Sequence, residues 1–113
     1  MAAELNLEAL RDEIDKIDEV IVRLLDSRAR CAYSVGRLKH ALGRPVYEPA
    51  REAAVIAHVR QVNEGLGGPL DGDAVARLYE RIMDEARRIQ RLEAERDAKQ
   101  KSDQAARTSS GSE

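Results

Sequence analysis

A long apolar stripe in the N-terminal third of the chain constrains the fold most. Its residues recur at steps of three and four, the spacing of one face of an α-helix: Leu7, Leu10, Ile14, Ile17, Ile21, Leu24, Cys31, Val35, Leu38 and Leu42. Asn6 suits the N-cap position, and Gly43 and Pro45 end the pattern. The sequence therefore predicts a helix from about Leu7 to about Ala41. Such a helix, about 50 Å long, is too long for a chain of 113 residues to cover alone, which predicts a partner chain or long companion helices.

Two more helices follow in the predicted organisation. The second begins with Pro49 at the first helical position and ends with Gly65 as its C-terminal cap. After the loop "GLGGPLDGD", Asp71 or Asp73 is the expected N-cap of the third helix, whose apolar pattern continues past Leu92. Neither a strand pattern nor an internal repeat is present. The sequence predicts an all-α fold of three helices, which are long, short and long.

The end of the chain differs in composition from the helical part. From about Ala98 the stretch "AKQKSDQAARTSSGSE" loses apolar periodicity, which predicts a frayed or disordered tail. The predicted division is a helical domain over residues 1–97 and a tail over residues 98–113.

Composition excludes several classes of function. The net charge is −2 and aromatic residues make up 3%, so neither a basic surface nor stacking platforms for nucleic acid are expected. The one cysteine, Cys31, cannot form an internal disulfide and is typical of a reducing compartment. The stretch "MAAELNLEALRDEIDK" has no apolar signal core, and no run is long enough to span a membrane. The sequence predicts a cytoplasmic protein without nucleic-acid or membrane partners.

The usual motifs of covalent, metal and nucleotide chemistry are missing from the sequence. His40, His58 and Cys31 do not have the spacing of metal ligands. The "GLGG" stretch is a loop without a Walker pattern, and Ser27 and Ser34 have no recognisable base partner. The sequence predicts neither a metal nor a cofactor.

Several polar residues occupy positions where the helices should be apolar. Arg28 interrupts the apolar stripe, which costs free energy unless its charge is paired. Lys39 lies about three turns later on nearly the same face, about 16 Å along the axis, so a small anion could lie between them. Taken singly, an ion pair in a bundle explains Arg28 and snorkelling at a helix end explains Lys39. Gly36, which costs about 1 kcal/mol relative to alanine inside a helix, indicates close helix packing or room for a ligand.

The second and third helices carry similar residues. Glu52 points toward the apolar face of its helix, although a first-turn acid is also favoured by the helix dipole. Glu48, one turn earlier, suits the cap position. Arg51 places a positive charge in the first turn of the second helix, where the helix dipole disfavours it. An ion pair with a nearby surface carboxylate would explain its presence there. Gln90 lies on the inner face of the third helix, where an amide needs hydrogen-bond partners.

Arg11 extends this set to a second chain. It precedes Arg28 by roughly 25 Å along one straight helix, so the two cannot contact one small molecule from the same chain. In an antiparallel pair of long helices, Arg11 of one chain could approach the pocket of the other. The combination indicates a cationic pocket for a small dianion, built across a dimer.

These residues, in this order, make the sequence similar to the chorismate mutases of the all-helical class. The resemblance covers about Leu7 to Gln90, and four stretches carry it: "LEALRDEIDKIDEVIVRLLDSR", "VGRLK", "RPVYEPAREAAVI" and "PLDGDAVARLYERIMDEARRIQ". It implies an intertwined homodimer with three helices per chain and two active sites. It also implies the [3,3] rearrangement of chorismate to prephenate, which needs no nucleophile, metal or general base.

The resemblance assigns a role to each polar position. Arg11 from the partner chain and Arg28 match the arginines that bind the carboxylates of the substrate, a task that suits the two parallel donors of a guanidinium. Lys39 and Gln90 match the pair that donates to the ether oxygen. Glu52 matches the carboxylate that holds the ring hydroxyl.

Three further positions of the predicted site match the family pattern less closely or have a less specific role. Arg51 matches an arginine with an electrostatic role near the carboxylates. Glu48 lies where the family usually has an acidic residue. Ala86 departs from the pattern, because the best-known members have a serine there that helps to bind a carboxylate. Backbone or water replaces that contact, or the substrate binds more weakly.

Two other functions compete with this interpretation. An isochorismate pyruvate-lyase shares the fold and uses similar cations, but members of that type lack the glutamate that Glu52 provides here. A non-catalytic dimerisation or regulatory module would explain the apolar stripe but not the inward polar residues. A chain of this length has no room for a second catalytic domain, so the enzyme is expected to stand alone.

Overall fold

Three α-helices make up the protein in a computed structural model, which describes residues 6–111. They are α1 (Leu7–Ala41), α2 (Pro49–Leu66) and α3 (Gly72–Gly111). No strand occurs in residues 6–111, so the predicted all-α fold is confirmed. The chain divides into two compact units, one ending at Cys31 and the other beginning at Ala32.

The ends of α1 lie where the sequence predicts them. The Asn6 side-chain oxygen accepts hydrogen bonds from the backbone amides of Glu8, at 2.8 Å, and Ala9, at 3.3 Å. These bonds satisfy two amides of the first turn, which have no partner inside the helix. At the other end Gly43 has a φ of +68°, a left-handed conformation that ends the helix without the steric cost of a side chain.

The bounds of α2 and α3 refine two predictions. Pro49 opens α2 as predicted, but the C-terminal cap is Gly67, with a φ of 62°, and not Gly65. Gly65 lies inside the helix, and the left-handed conformation that ends a helix is reached two residues later. For α3 the N-cap is Asp71, whose side chain accepts from the Ala74 amide at 2.7 Å.

The second unit is built around a hairpin of α2 and α3. Arg60 pairs with Asp73 at 2.9 Å near the loop, and Glu52, earlier in α2, pairs with Arg87, later in α3. The two helices therefore run antiparallel, as a short loop requires. Apolar burial is concentrated on the inner faces of this unit, at Ala32, Val75, Ala76 and Met83.

The last part of α3 remains helical through Gly111. Asp97, in the middle of α3, contacts the end of α1, because its carboxylate lies 2.7 Å from His40 Nε2. The same carboxylate lies 3.4 Å from Lys101 Nζ, one turn later in α3. Beyond this point every side chain from residue 98 to residue 108 is exposed. The alanine, lysine, glutamine and arginine residues of this segment favour helix even without tertiary packing. The division of the chain into a helical domain and a separate tail from residue 98 stays a prediction.

In the first unit, α1 leaves a long apolar face exposed. The exposed side chains are Leu7, Leu10, Ile14, Ile17, Val20, Ile21, Leu24 and Leu25. An exposed apolar patch of this length is typical of a protein–protein interface. None of the helices in residues 6–111 has the length and apolar character needed to cross a membrane.

Candidate active site

Lys39 is the centre of a polar cluster in the second unit. Its side chain is 12% exposed. The ammonium nitrogen lies 2.7 Å from the Val46 carbonyl oxygen, 3.2 Å from Gln90 Oε1 and 3.0 Å from Glu48 Oε1. An ammonium has three donors, and these three oxygens match them. The charge is thus held at a fixed place between α1, the linker that follows it, and α3.

Gln90 is the buried member of this cluster, with 7% of its surface exposed. Because its Oε1 accepts from Lys39 at 3.2 Å, the amide nitrogen remains as the donor end of the side chain. The sequence resemblance pairs Lys39 and Gln90 from distant parts of the chain. The structure brings their side chains into direct contact.

Gly36 allows this contact by its lack of a side chain. A Cβ atom at Gly36 would lie 2.7 Å from Gln90 Cγ and 3.3 Å from Gln90 Cα. The 2.7 Å distance is shorter than carbon atoms tolerate, so a Cβ atom here would force α1 or the Gln90 side chain to move. Close helix packing, one of the two explanations considered from the sequence, accounts for Gly36.

Glu48 occupies the N-cap position of α2, but its side chain makes no capping hydrogen bond. It turns to Lys39 instead. The Lys39 ammonium, through its hydrogen bond and its charge, holds the pKa of the Glu48 carboxyl below the ordinary value, with smaller contributions from Arg44 and Arg51. Glu48 therefore stays ionised and reduces the excess positive charge around Lys39.

A second polar cluster lies one helical turn away. Glu52, the next turn of α2, forms a hydrogen-bonded ion pair with Arg87 of α3, and each side chain is 23% exposed. Arg87 also donates to Asp84 Oδ1 at 3.0 Å. Its guanidinium carbon lies 5.6 Å from the centroid of the Tyr47 ring, within the range of a cation–π interaction.

The two clusters form successive layers between α2 and α3. Glu48 and Glu52 are four residues apart, and Arg87 and Gln90 are three apart, so each pair lies on one face of its helix. The first layer joins Glu48 to Gln90 through Lys39, and the second joins Glu52 directly to Arg87. The arrangement places cationic and anionic groups side by side next to a buried amide.

The other predicted site residues fall outside these layers. Arg51 is exposed in the first turn of α2, and Ala86 is half-buried on α3. Arg11 and Arg28 belong to the first unit, where Arg11 is exposed and Arg28 is half-buried on α1. Within residues 6–111, no group of three or more His, Cys, Asp or Glu side chains is arranged to hold a metal ion.

Three groups in the site were missed by sequence reasoning. Arg87 lies three residues before Gln90, so helical spacing alone would have placed it near the same face. Asp84 follows in the same way from its spacing to Arg87. The Val46 carbonyl had no signal in the sequence, because backbone groups of a linker are placed only by the path of the chain.

Comparisons with known proteins give one consistent result. A family model described as chorismate mutase type II matches residues 10–91. The bifunctional chorismate mutase/prephenate dehydratase of Pseudomonas aeruginosa is 48% identical over 88 residues, which cover 74% of this chain and 23% of that protein. The T-protein of Enterobacter agglomerans is 40% identical over 86 residues, which cover 76% of this chain and 22% of that protein.

A solved structure matches in fold as well as in sequence. The chorismate mutase (form II) from Thermus thermophilus superposes with a TM-score of 0.71 at 32% identity, over 75% of this chain and 93% of that chain. The present chain spans less than a quarter of the length of the two curated relatives.

Proposed function

We propose that this chain, which belongs to the chorismate mutase type II family, catalyses the rearrangement of chorismate to prephenate. The observation that carries the proposal is the contact between Lys39 and Gln90, at 3.2 Å across two helices. Both side chains are largely removed from solvent, and both can present a donor to one substrate atom. The chain is then an isomerase of aromatic amino-acid biosynthesis.

The reaction breaks one carbon–oxygen bond and forms one carbon–carbon bond within a single molecule. Negative charge grows on the ether oxygen as its bond breaks, so donors fixed in advance at that oxygen lower the barrier. Lys39 and Gln90 supply these donors in the proposal. Lys39 has three oxygen partners, so it must exchange one of them for the substrate. Glu48, with 38% of its side chain exposed, is the partner most easily displaced.

The carboxylates of the substrate are assigned to arginines. Arg28 of one chain and Arg11 of a second copy take these roles, with Arg51 adding positive potential nearby. Arg11 in trans requires a homodimer, and the exposed apolar face of α1 supports one. A second copy that covers this face would remove it from water, which favours association.

Glu52 is assigned to the ring hydroxyl of the substrate, and Glu48 lies at the edge of the same site. A carboxylate has about four lone-pair positions, so Glu52 can accept a hydroxyl while it remains paired with Arg87. Ala86 brings no hydroxyl to its position, and water or backbone takes over that contact with a carboxylate. We also propose a cytoplasmic location, which the single cysteine supports.

Product analysis tests the proposal directly. The purified chain is incubated with chorismate and, separately, with isochorismate, and the products are separated by chromatography. We expect prephenate from chorismate. Pyruvate from isochorismate as the dominant reaction would assign the chain to the lyase instead, and no turnover of either compound by a folded dimer would favour a non-catalytic module.

A further inference from the structure

Arg87 is the cation that faces Glu52, and nothing in the proposed reaction assigns it a role. The two side chains are hydrogen-bonded across α2 and α3, and each is 23% exposed. A pair that is this far removed from solvent is screened less than a surface pair. It therefore fixes the position of the carboxylate more firmly than a surface contact would.

Arg87 is itself held from three sides. Glu52 lies on α2, Asp84 accepts at 3.0 Å from within α3, and the Tyr47 ring from the linker lies 5.6 Å from the guanidinium carbon. The hydrogen bond to Glu52 is the largest cause that raises the pKa of Arg87 above its ordinary value. With one donor on Glu52, another on Asp84 and one face against the Tyr47 ring, this guanidinium is placed to hold Glu52.

A carboxylate in a site for a dianion poses an electrostatic problem. Glu52 would repel the substrate that it is meant to hold, because like charges at short range disfavour binding. Arg87 compensates this charge, while Asp84, which also contacts Arg87, has a second cation in Arg81 at 3.2 Å. The carboxylate then acts as an oriented acceptor with little net repulsion.

We propose that Arg87 is a positioning residue for the substrate, which fixes and charge-compensates the Glu52 carboxylate that receives the ring hydroxyl. This inference rests on the proposed function. The ring hydroxyl takes no part in bond breaking, and the proposal assigns its contact to substrate binding, with the same strength in the ground state and the transition state. Loss of such a contact raises KM and leaves kcat nearly unchanged.

The test compares Arg87→Gln with Arg88→Gln. Arg88 is the adjacent arginine, 65% exposed, and its one ion pair among residues 6–111 is with Glu85 at 3.9 Å, so its replacement removes the same charge from the same helix outside the site. We expect Arg87→Gln to raise KM for chorismate about tenfold or more, the factor of one charge-assisted hydrogen bond, with kcat within about twofold of the wild type. Arg88→Gln should match the wild type, and Arg87→Lys, which keeps the charge, should restore part of the lost affinity.

A double-mutant cycle shows whether Arg87 acts through Glu52. In a Glu52→Gln background, Arg87→Gln should have little additional effect on KM, because the group that it positions is gone. Circular dichroism and the thermal midpoint verify that each variant is folded. An active wild type with equal KM values for Arg87→Gln and Arg88→Gln overturns this inference alone, as do fully additive effects in the cycle. A wild type that does not convert chorismate overturns the proposed function, and this inference with it.

Discussion

The Lys39 ammonium donates to Gln90 Oε1 at 3.2 Å, which joins two helices whose interacting residues are 51 positions apart in sequence. The contact orients both side chains before any ligand arrives. Three oxygen atoms fix the position of the Lys39 ammonium group. Because Gln90 Oε1 accepts from Lys39, the amide nitrogen of Gln90 is left as the donor. Preorganised donors of this kind cost no reorganisation at the moment of reaction.

Replacement of Lys39 tests the donor role. We expect Lys39→Met to lower kcat about 100- to 1000-fold, the usual cost of losing one donor to a developing negative charge. Lys99→Met is the matched control, because Lys99 is an exposed lysine of α3. Steady-state kinetics with chorismate measures both, and a Lys39→Met enzyme with near wild-type kcat would reject the assignment.

Gly36→Ala should damage stability and turnover together. The new Cβ atom would lie 2.7 Å from Gln90 Cγ, so α1 or the Gln90 side chain must move, at a cost of about 1–3 kcal/mol in unfolding free energy. The displaced amide should also lower kcat.

Gly65→Ala is the control for this prediction, because a Cβ at Gly65 has nothing within 4 Å. In the interior of α2 alanine should stabilise the protein by about 0.5–1 kcal/mol. Urea unfolding of both variants at one protein concentration gives the comparison. Equal behaviour of the two alanines would contradict the close approach of α1 to α3.

The ion pair between Lys39 and Glu48 predicts a dependence of stability on pH. Lys39 lowers the pKa of Glu48 in the folded state, so the pair contributes stability that is fully present above the ordinary glutamate pKa of about 4.3. This contribution is lost as the pH falls through the lowered pKa of the folded state. The urea midpoint of Glu48→Gln should therefore lie below that of the wild type at neutral pH, and the difference should disappear in acid. Glu64→Gln, at an exposed position of α2, should show no such trend.

Mixing two inactive variants tests whether Arg11 acts in trans. Arg11→Ala and Lys39→Met chains are unfolded together and refolded as a mixture. A mixed dimer then has one site in which both Arg11 and Lys39 are intact and one site in which both are replaced. Because about half of the dimers are mixed under random association, about a quarter of all sites should be active. Recovery of no activity from a mixture of folded dimers would show that Arg11 serves its own chain.

We expect dimer formation to depend on the exposed apolar face of α1. Ile17→Lys places a charge in the centre of this exposed face, where burial against a second copy would be costly. We expect a monomer in sedimentation and loss of activity. Glu19→Lys, at an exposed polar position of the same helix, should remain dimeric. A dimeric and active Ile17→Lys protein would place the interface elsewhere.

Local sequence rules account for most of the fold. The bounds of α1 follow from Asn6, from the apolar spacing and from Gly43, all of which act within a few residues of the helix ends. The start of α2 at Pro49 follows in the same way. The C-terminal cap of α2 was misplaced by two residues, since Gly65 and Gly67 have the same chemistry and only the backbone path selects between them.

The sequence by itself determined the three helices and the inward position of Lys39, Glu52 and Gln90, because spacing and capping are local properties. Only the tertiary structure decided which of these residues meet. Gly36 lets α3 approach closely enough for Lys39 to contact Gln90, and the antiparallel hairpin brings Arg87 to Glu52. Neither contact could be deduced from spacing, since each depends on how two helices far apart in sequence are placed against each other.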